Sequence, residues 1–417
     1  MEMDEAGLRA TALQARAAGD HGTAVETWRV LLGGRPDDWQ TGLELKRDLK
    51  AGLHYPDSDP AFRRAARHLP DTEWLAHYTA LYAYHMDDLP RLAARADALL
   101  RDRPGDAGLH ALRGDVARQQ RDWAVATAAF DTAHQLDPQH PEFATRARAA
   151  RMYRRVGAWL AAQPSRGAEY GVAFVNLDRN TERRGFIEAL FAGGPPLHRV
   201  PAVEGNRLPL PAVRRLLGHA GAPALRGTLG CFLSHAAAWD GMAQMGLQHM
   251  LVIEDDVVPL LPLPARIGPL GLPGDYDICF VNDRLEPRLE PDDVTAPSLH
   301  RLADALQSFP AEDNAPGGDG YIISAAGAAK LLRWVTEDGF TGDVDWRLLA
   351  YGMDPAAIAA LPHHAFSHMT LDRMQHAVPR PERLHAFVLH PALIRTVGVS
   401  SDREDEDRQG KAAEDPA

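Results

Sequence analysis

The sequence predicts an all-α array of helical repeats over residues 1–160, an α/β domain over residues 168–402 and a disordered acidic tail over residues 403–417. Three observations carry this. Pro36, Pro70, Pro104 and Pro138 stand 34 residues apart. From Tyr170 onward, short apolar runs of strand character alternate with runs of helical character. One of those runs, Leu251-Val252-Ile253, ends in three consecutive carboxylates, Glu254-Asp255-Asp256.

Composition sets the outer limits. A chain of 417 residues is long enough for two or three domains, and 45% hydrophobic residues can fill their cores. No apolar run approaches the roughly 18 residues of a membrane span. The first residues, Met1 to Glu5, are acidic and lack the apolar core of a signal peptide. Two cysteines, Cys231 and Cys279, argue against a disulfide framework and read as small buried hydrophobes. The expectation is a cytoplasmic protein. A net charge of −12 argues against a general nucleic-acid binder but leaves room for a local basic patch.

The 34-residue period resembles the tetratricopeptide repeat, two antiparallel helices per unit with a proline closing the second. The fourth unit fits best, with Gly114, Ala126, Phe130, Ala133 and Pro138 in the small, small, aromatic, small and proline positions. Small residues let two helices approach, and the aromatic fills the gap between units. The first unit keeps Ala24, Trp28 and Pro36; the third keeps Ala80, Ala83 and Pro104. In the second, Tyr55-Pro56-Asp57-Ser58-Asp59-Pro60 must break a helix. Four such units stack into a short solenoid with a concave face, either a plain scaffold or a groove for a peptide or partner protein. Helical character continues through Glu142–Ala161, and Gln163-Pro164-Ser165-Arg166-Gly167 reads as a linker.

In the second part, Tyr170–Leu177 reads as a buried parallel strand. Asp178–Arg184 leads into a helix over Phe186–Phe191, with Asn180 or Thr181 as its cap. A strand feeding a helix N-terminus is where α/β sheets bind nucleotides, so Arg183 and Arg184 either meet phosphate or stay solvated. His198–Val203 suggests a second strand, and Thr228–Trp239 a turn followed by a helix. Ser234 and His235 lie inside that apolar stretch. A nucleophile–base pair is one reading. Adjacent helical residues diverge, however, and no G-x-S-x-G elbow surrounds Ser234, which favours a structural or ligand-orienting role. Residues i and i+2 of a strand share a face, so Glu254 and Asp256 converge at the end of Met250–Ile253. Clustered acids are costly unless a cation sits between them, and Mg²⁺ or Mn²⁺ is the simplest answer; the alternative is an acidic junction in solvent. Tyr276–Asn282 and Tyr321–Ser324 are further strands, the latter after Gly317-Gly318-Asp319-Gly320, and Ala325–Val335 is a helix. Asp343 and Asp345 open another helix, where acids commonly serve as caps.

Taken in order, FVNLDRNTERR (Phe174–Arg184), VPAVEG (Val200–Gly205), LGCFLSHAAAW (Leu229–Trp239), LVIEDDV (Leu251–Val257), GYIISAAGAAKLL (Gly320–Leu332) and DVDW (Asp343–Trp346) resemble glycosyltransferase family 25. That family includes bacterial lipooligosaccharide and procollagen galactosyltransferases. LHAFVLHPALIR (Leu384–Arg395), with Ser400-Ser401-Asp402 after it, resembles the close of the procollagen-type domains. The resemblance covers about residues 170–402 and leaves the repeats outside. It implies a GT-A fold, a nucleotide-sugar donor such as UDP-galactose, a divalent ion (Mn²⁺ or Mg²⁺) and inversion at the anomeric carbon. On this chain it places the metal at Glu254 and Asp256, with Asp255 beside them, and the nucleotide edge at Asn176, Leu177, Arg179, Arg183 and Arg184. Ser234 and His235 are counted as cofactor-orienting. An inverting transfer needs a base for the acceptor hydroxyl; Asp345 is the first choice, then Asp343 and Asp319. His368 and His376 are candidates for a late metal ligand or phosphate contact, with a solvated histidine the favoured alternative for each. Gly318-Asp319-Gly320 departs from the family, where bulkier or hydroxyl residues precede the tyrosine. The acceptor is expected to be a protein, peptide or saccharide. The competing reading is a non-catalytic adaptor built on the repeats.

Overall fold

The computed structural model describes residues 4–51, 59–81, 89–217, 226–286, 294–308, 317–340, 342–361 and 380–396. Ala83, His368, His376, Asp402 and the tail from 403 lie outside the described residues.

Nine helices open the described chain: α1 (Glu5–Ala17), α2 (His21–Gly34), α3 (Trp39–Ala51), α4 (Pro60–Ala66), α5 (Asp71–Leu81), α6 (Leu89–Asp102), α7 (Ala107–Gln119), α8 (Trp123–Leu136) and α9 (Phe143–Ala162). They fall into four pairs plus α9, and each proline of the 34-residue series stands just after or between pairs. The α1–α2 and α7–α8 turns are built alike. Gly19 (φ 77°) and Arg121 (φ 62°) take the left-handed conformation, and the aspartate that follows, Asp20 or Asp122, caps the next helix by accepting from Thr23 N or Val125 N. Only Gly adopts that φ without strain, so Arg121 is a departure from the easier residue. Asp59 caps α4 through Ala61 N and Phe62 N, and Pro60 fills the first helical position, where no amide is needed. The expected small–aromatic contact is present: a Cβ on Gly114 would sit 2.6 Å from the Phe130 ring. Ala24, Trp28, Ala126, Phe130 and Ala133 are all buried. Between α1, α2 and α3, buried Asp48 accepts from Arg16, His21 and Trp28 Nε1, the last at 2.7 Å. A carboxylate this deep is tolerable only because donors surround it.

The remaining elements are β1 (Gly171–Asn176), α10 (Thr181–Leu190), β2 (Leu197–Pro201), α11 (Leu210–Leu217), α12 (Arg226–Gln244), β3 (His249–Glu254), β4 (Val257–Pro259), β5 (Ile278–Phe280), β6 (Ser298–Arg301), α13 (Leu302–Gln307), β7 (Gly320–Ser324), α14 (Ala325–Asp338), α15 (Val344–Tyr351), α16 (Pro355–Ala359), β8 (Ala386–His390) and β9 (Ile394–Thr396). Seven strands form one mixed sheet in the order β2-β1-β3-β7-β5-β8-β6, and β4 pairs antiparallel with β9. β1 runs parallel to both neighbours, as its continuous apolar run predicts. β7 is antiparallel between β3 and β5. The segment Thr228–Trp239 is helical throughout, inside α12, with no turn at its start. Asn180 occupies the cap position of α10 but makes no side-chain capping bond.

Period-two alternation sends each strand to both faces of the sheet. Ala173, Val252, Phe280, Tyr321 and Val388 join a core with α12, α14 and α15. Val172, Phe174, Ile253, Val281 and Leu389 face the other way, onto α10 and onto Trp123, Tyr153, Val156 and Leu160 of α8 and α9. The end of the helical array is thus a covering layer of the sheet. Trp123 Nε1 donates to Leu260 O at 2.9 Å, and Tyr153 Oη to Glu286 at 3.2 Å. No helix among the described residues is long and apolar enough to cross a membrane.

Candidate active site

β1 and β3 run parallel and end side by side, Val175 opposite Glu254. The residues just past these ends are the polar ones. Asp255 turns toward β1, where it accepts from Asn176 Nδ2 at 2.7 Å and from Arg183 Nη1 at 3.1 Å. Burial pushes its pKa up, against the pull of Arg183 and Asn176. Asn176 is itself fixed, receiving Arg199 Nε on Oδ1 at 3.0 Å and donating to Asn180 O. Asn176, Arg183 and Asp255 therefore form one network at the mouth of the β1–α10 turn, with Leu177 in the turn itself. Arg179 pairs with Glu204 at 3.0 Å on the same rim. Arg184 does not join: it is exposed and pairs along α10 with Glu188, which favours the solvated reading.

On the other side of β3, glycines let charged groups close together. Glu254 N reaches Asp319 O across the β3–β7 pairing. Asp319 is buried, takes two hydrogen bonds from Arg284 Nη1 at 2.8 Å and receives Thr396 Oγ1 at 2.8 Å. Burial raises its pKa, opposed by Arg284 and reinforced by Glu254. Arg284 loses hydration, yet Asp319, Asp345 and Glu254 hold its pKa above the usual value. A Cβ on Gly317 would lie 2.2 Å from Arg284 Nη1, and one on Gly318 would lie 2.7 Å from Asp345 Oδ1. Larger residues at these two positions would push Arg284 and Asp345 away.

Asp345 is buried in the first turn of α15. Asp343 is the helix cap, its Oδ1 accepting from Asp345 N at 3.1 Å, so it serves the role that acids at a helix start commonly have and is disfavoured as a base. Asp256 has its Oδ1 buried with no hydrogen-bond partner among the described residues. Its pKa is pushed far up by burial, then by Glu254, Asp319 and Asp255. An orphaned carboxylate oxygen among acids fits a hard divalent cation.

Behind Glu254 lies a second arrangement. His235 is fully buried; its Nδ1 meets Tyr321 Oη at 2.9 Å, which also receives Trp239 Nε1 at 2.7 Å. His235 Nε2 stands 3.6 Å from Glu254 Oε1, and Cys231 Sγ stands 3.9 Å from the same oxygen. Ligand atoms of Cys231, His235 and Glu254 lie within 4.8 Å of one another. His235 Nε2 is buried without a hydrogen-bond partner among the described residues, and Cys231 is half-buried, not the buried hydrophobe the sequence suggests. Ser234 makes structural contacts, one of the two roles its position suggests. It is fully buried, accepts from Val203 N and donates to Gly230 O, bracing the loop after β2 against α12. Both hydrogen bonds go to backbone, which also excludes a nucleophile. Arg284, Thr396, Cys231 and Tyr321 escaped the sequence reading. Arg284, Thr396 and Tyr321 reach the acids through loop closure or strand pairing, which no local spacing marks; Cys231 lies on α12 four residues before His235, and that i, i+4 spacing was the available signal.

Residues 172–259 match glycosyltransferase family 25 (LPS biosynthesis protein). That segment carries β1, the β1–α10 turn, α12 and the acids of β3. Among similar proteins, procollagen galactosyltransferase 1 of Danio rerio is 31% identical over 177 residues, 39% of this chain and 28% of that protein. Procollagen galactosyltransferase 2 of Homo sapiens is 28% identical over 178 residues, and a glycosyltransferase 25 family member of Anopheles gambiae is 31% identical over 182. The chain covers between a quarter and a third of the length of these relatives (28%, 27% and 28%). The family resemblance drawn from the motifs holds for this segment.

Proposed function

We propose that this chain is a glycosyltransferase that moves a hexose, galactose in first place, from a nucleotide sugar to an acceptor hydroxyl with inversion. The observation that supports it best is the gathering of Glu254, Asp319 and Asp345 around Arg284, with Asp256 beside Glu254 and Asp319, next to the Asn176–Arg183–Asp255 network, in a chain whose β1–β4 segment matches family 25. In this reading the α/β part is a GT-A domain over 168–402, and residues 1–160 are tetratricopeptide-like repeats.

Asn176, Arg179 and Arg183 line the nucleotide side. Glu254 and Asp256 hold Mn²⁺ or Mg²⁺, which when bound neutralises charge on the departing nucleotide diphosphate. His235 orients Glu254 from behind. Arg284 and Thr396 occupy both oxygens of Asp319, leaving neither free to face an acceptor, while Asp343 is used as a cap. Asp345 is therefore the base that takes the acceptor proton. The test is UDP release from UDP-galactose by purified protein with Mn²⁺, compared with Asp345→Asn. The expected result is a loss of turnover of about 10²-fold or more with donor Kd unchanged. Near-wild-type turnover in Asp345→Asn would remove the assignment of the base. No release with any UDP-hexose would remove the reading itself.

A further inference from the structure

A cavity of about 620 Å³ lies where the helical array meets the α/β part. Arg118, Trp123, Arg146 and Tyr153 form its wall on the array side; Arg284, Arg395 and Thr396 belong to the other. The size suits one or two sugar rings. Arg284 and Thr396 also hold Asp319, so the cavity ends against the acid cluster. It is on the opposite side of β3 from the Asn176–Arg183 rim, and so away from the nucleotide side.

Its charge is unlike that of the chain. Four arginines (118, 146, 284, 395) face two acids (Asp283 and Glu286), in a protein of net charge −12. Arg146 and Arg118 share Asp115, at 2.8 and 3.2 Å. Arg395 makes no side-chain hydrogen bond or ion pair among the described residues. Burial and then the neighbouring Arg118 depress its pKa to about 10, with Asp283 opposing. A guanidinium kept in low-dielectric surroundings beside a like charge is costly unless an anion joins it. Trp123 and Tyr153 stack at 4.7 Å and give the cavity an aromatic wall of the kind that suits the C–H face of a sugar.

We propose that this cavity binds the acceptor, and that the acceptor is a saccharide carrying a phosphate or carboxylate held by Arg395 and Arg118. The proposal rests on the transferase reading above. A compact pocket with an aromatic wall favours a sugar over an extended peptide, which pairs with a long groove or sheet edge.

The experiment is calorimetric titration of the full chain with galactose 6-phosphate, galacturonic acid, methyl galactoside and a Glu/Ser hexapeptide. Variants are Arg395→Gln, Arg395→Lys and Arg118→Gln, each checked by thermal melting, and UDP with Mn²⁺ is titrated in parallel. One or both charged sugars should bind at least tenfold tighter than methyl galactoside. Arg395→Gln and Arg118→Gln should each lose that preference tenfold, Arg395→Lys should keep most of it, and the Kd for UDP should stay within twofold. Equal affinity for charged and neutral sugars, indifference to Arg395→Gln in a folded variant, or tighter binding of the peptide overturns the proposal. Should Arg395→Gln fail to fold, Arg118→Gln and Arg395→Lys decide by the same criteria. The two readings fail separately. Charged sugars bound by a protein that binds no UDP and releases none from UDP-hexoses would leave the cavity and remove the transferase; UDP bound without charged sugars would do the reverse.

Discussion

Asp256 and Asp345 are acids in different surroundings, Asp256 within reach of Arg183 and Asp345 within reach of Arg284. Asp256 keeps a buried, unpartnered oxygen among Glu254, Asp319 and Asp255. Replacing it with Ala relieves like-charge repulsion in the metal-free protein but removes a cation ligand. The expected outcome for Asp256→Ala is an unchanged or higher Tm without metal, together with loss of the Mn²⁺-dependent part of UDP affinity. Calorimetry with and without Mn²⁺ checks both, and an intact Mn²⁺ response would dismiss Asp256 as a ligand. Asp345 depends on a glycine. A methyl at Gly318 would press on Asp345 Oδ1 at 2.7 Å, so Gly318→Ala should cut turnover at least tenfold while sparing UDP binding. If kcat holds, the approach of Asp345 to the loop is not needed for the chemistry.

At the scale of elements, the helix pairs are closed by turns and capped by aspartates. Gly19 and Arg121 occupy the same left-handed position in two of those turns. Arg121→Gly should therefore stabilise the protein, by about 1 kcal/mol or less, because relief of the strained φ outweighs the added freedom of the unfolded chain. Thermal denaturation measures it; a lower Tm would mean that Arg121 contributes contacts worth more than the strain. Asp48 ties α1, α2 and α3 together. Burial opposes its charge, but hydrogen bonds from Arg16, His21 and Trp28 hold its pKa below the ordinary carboxylate value. A depressed pKa gives stability that is present above the unfolded value near ~3.9 and is lost as pH falls through the folded one. Acid unfolding of the first helices, followed by tryptophan emission, should begin below about pH 4. In Asp48→Asn that part of the pH dependence should vanish. Asp48→Ala, which strands Arg16 and Trp28 Nε1, should cost about 3–5 kcal/mol.

For the whole molecule, the boundary at 160–168 separates sequence patterns but not cores. Trp123, Tyr153, Val156 and Leu160 cover Phe174, Ile253, Val281 and Leu389 on one face of the sheet. A chain beginning at Gly167 would expose that face. Such a chain should bind a hydrophobic dye and lack a cooperative melt. One beginning at Gly105 keeps α7, α8 and α9 and should melt cooperatively. Calorimetry of both decides the matter; a cooperative, dye-free 167–417 chain would show that the helices only rest on the sheet.

By itself the sequence determined the local features. Proline spacing and the Gly114–Phe130 pairing announced the helix pairs, because helix termination and small–large packing are written within a few tens of residues. Strand alternation, the acids closing β3 and the family resemblance followed from runs of at most thirteen residues. Tertiary structure alone decided which acids stand together, which are caps and which are pinned. Asp343 and Asp345 look alike in sequence, and only the closeness of Gly318 and Arg284 separates them. Arg184 and Ser234 were plausible ligand contacts until α10 turned one to solvent and α12 buried the other. Arg284, Thr396 and Arg395 are separated from Glu254 by 30 to 142 residues of chain. Their positions follow from sheet order and loop closure, which depend on the sum of many long-range contacts and leave no local pattern to read.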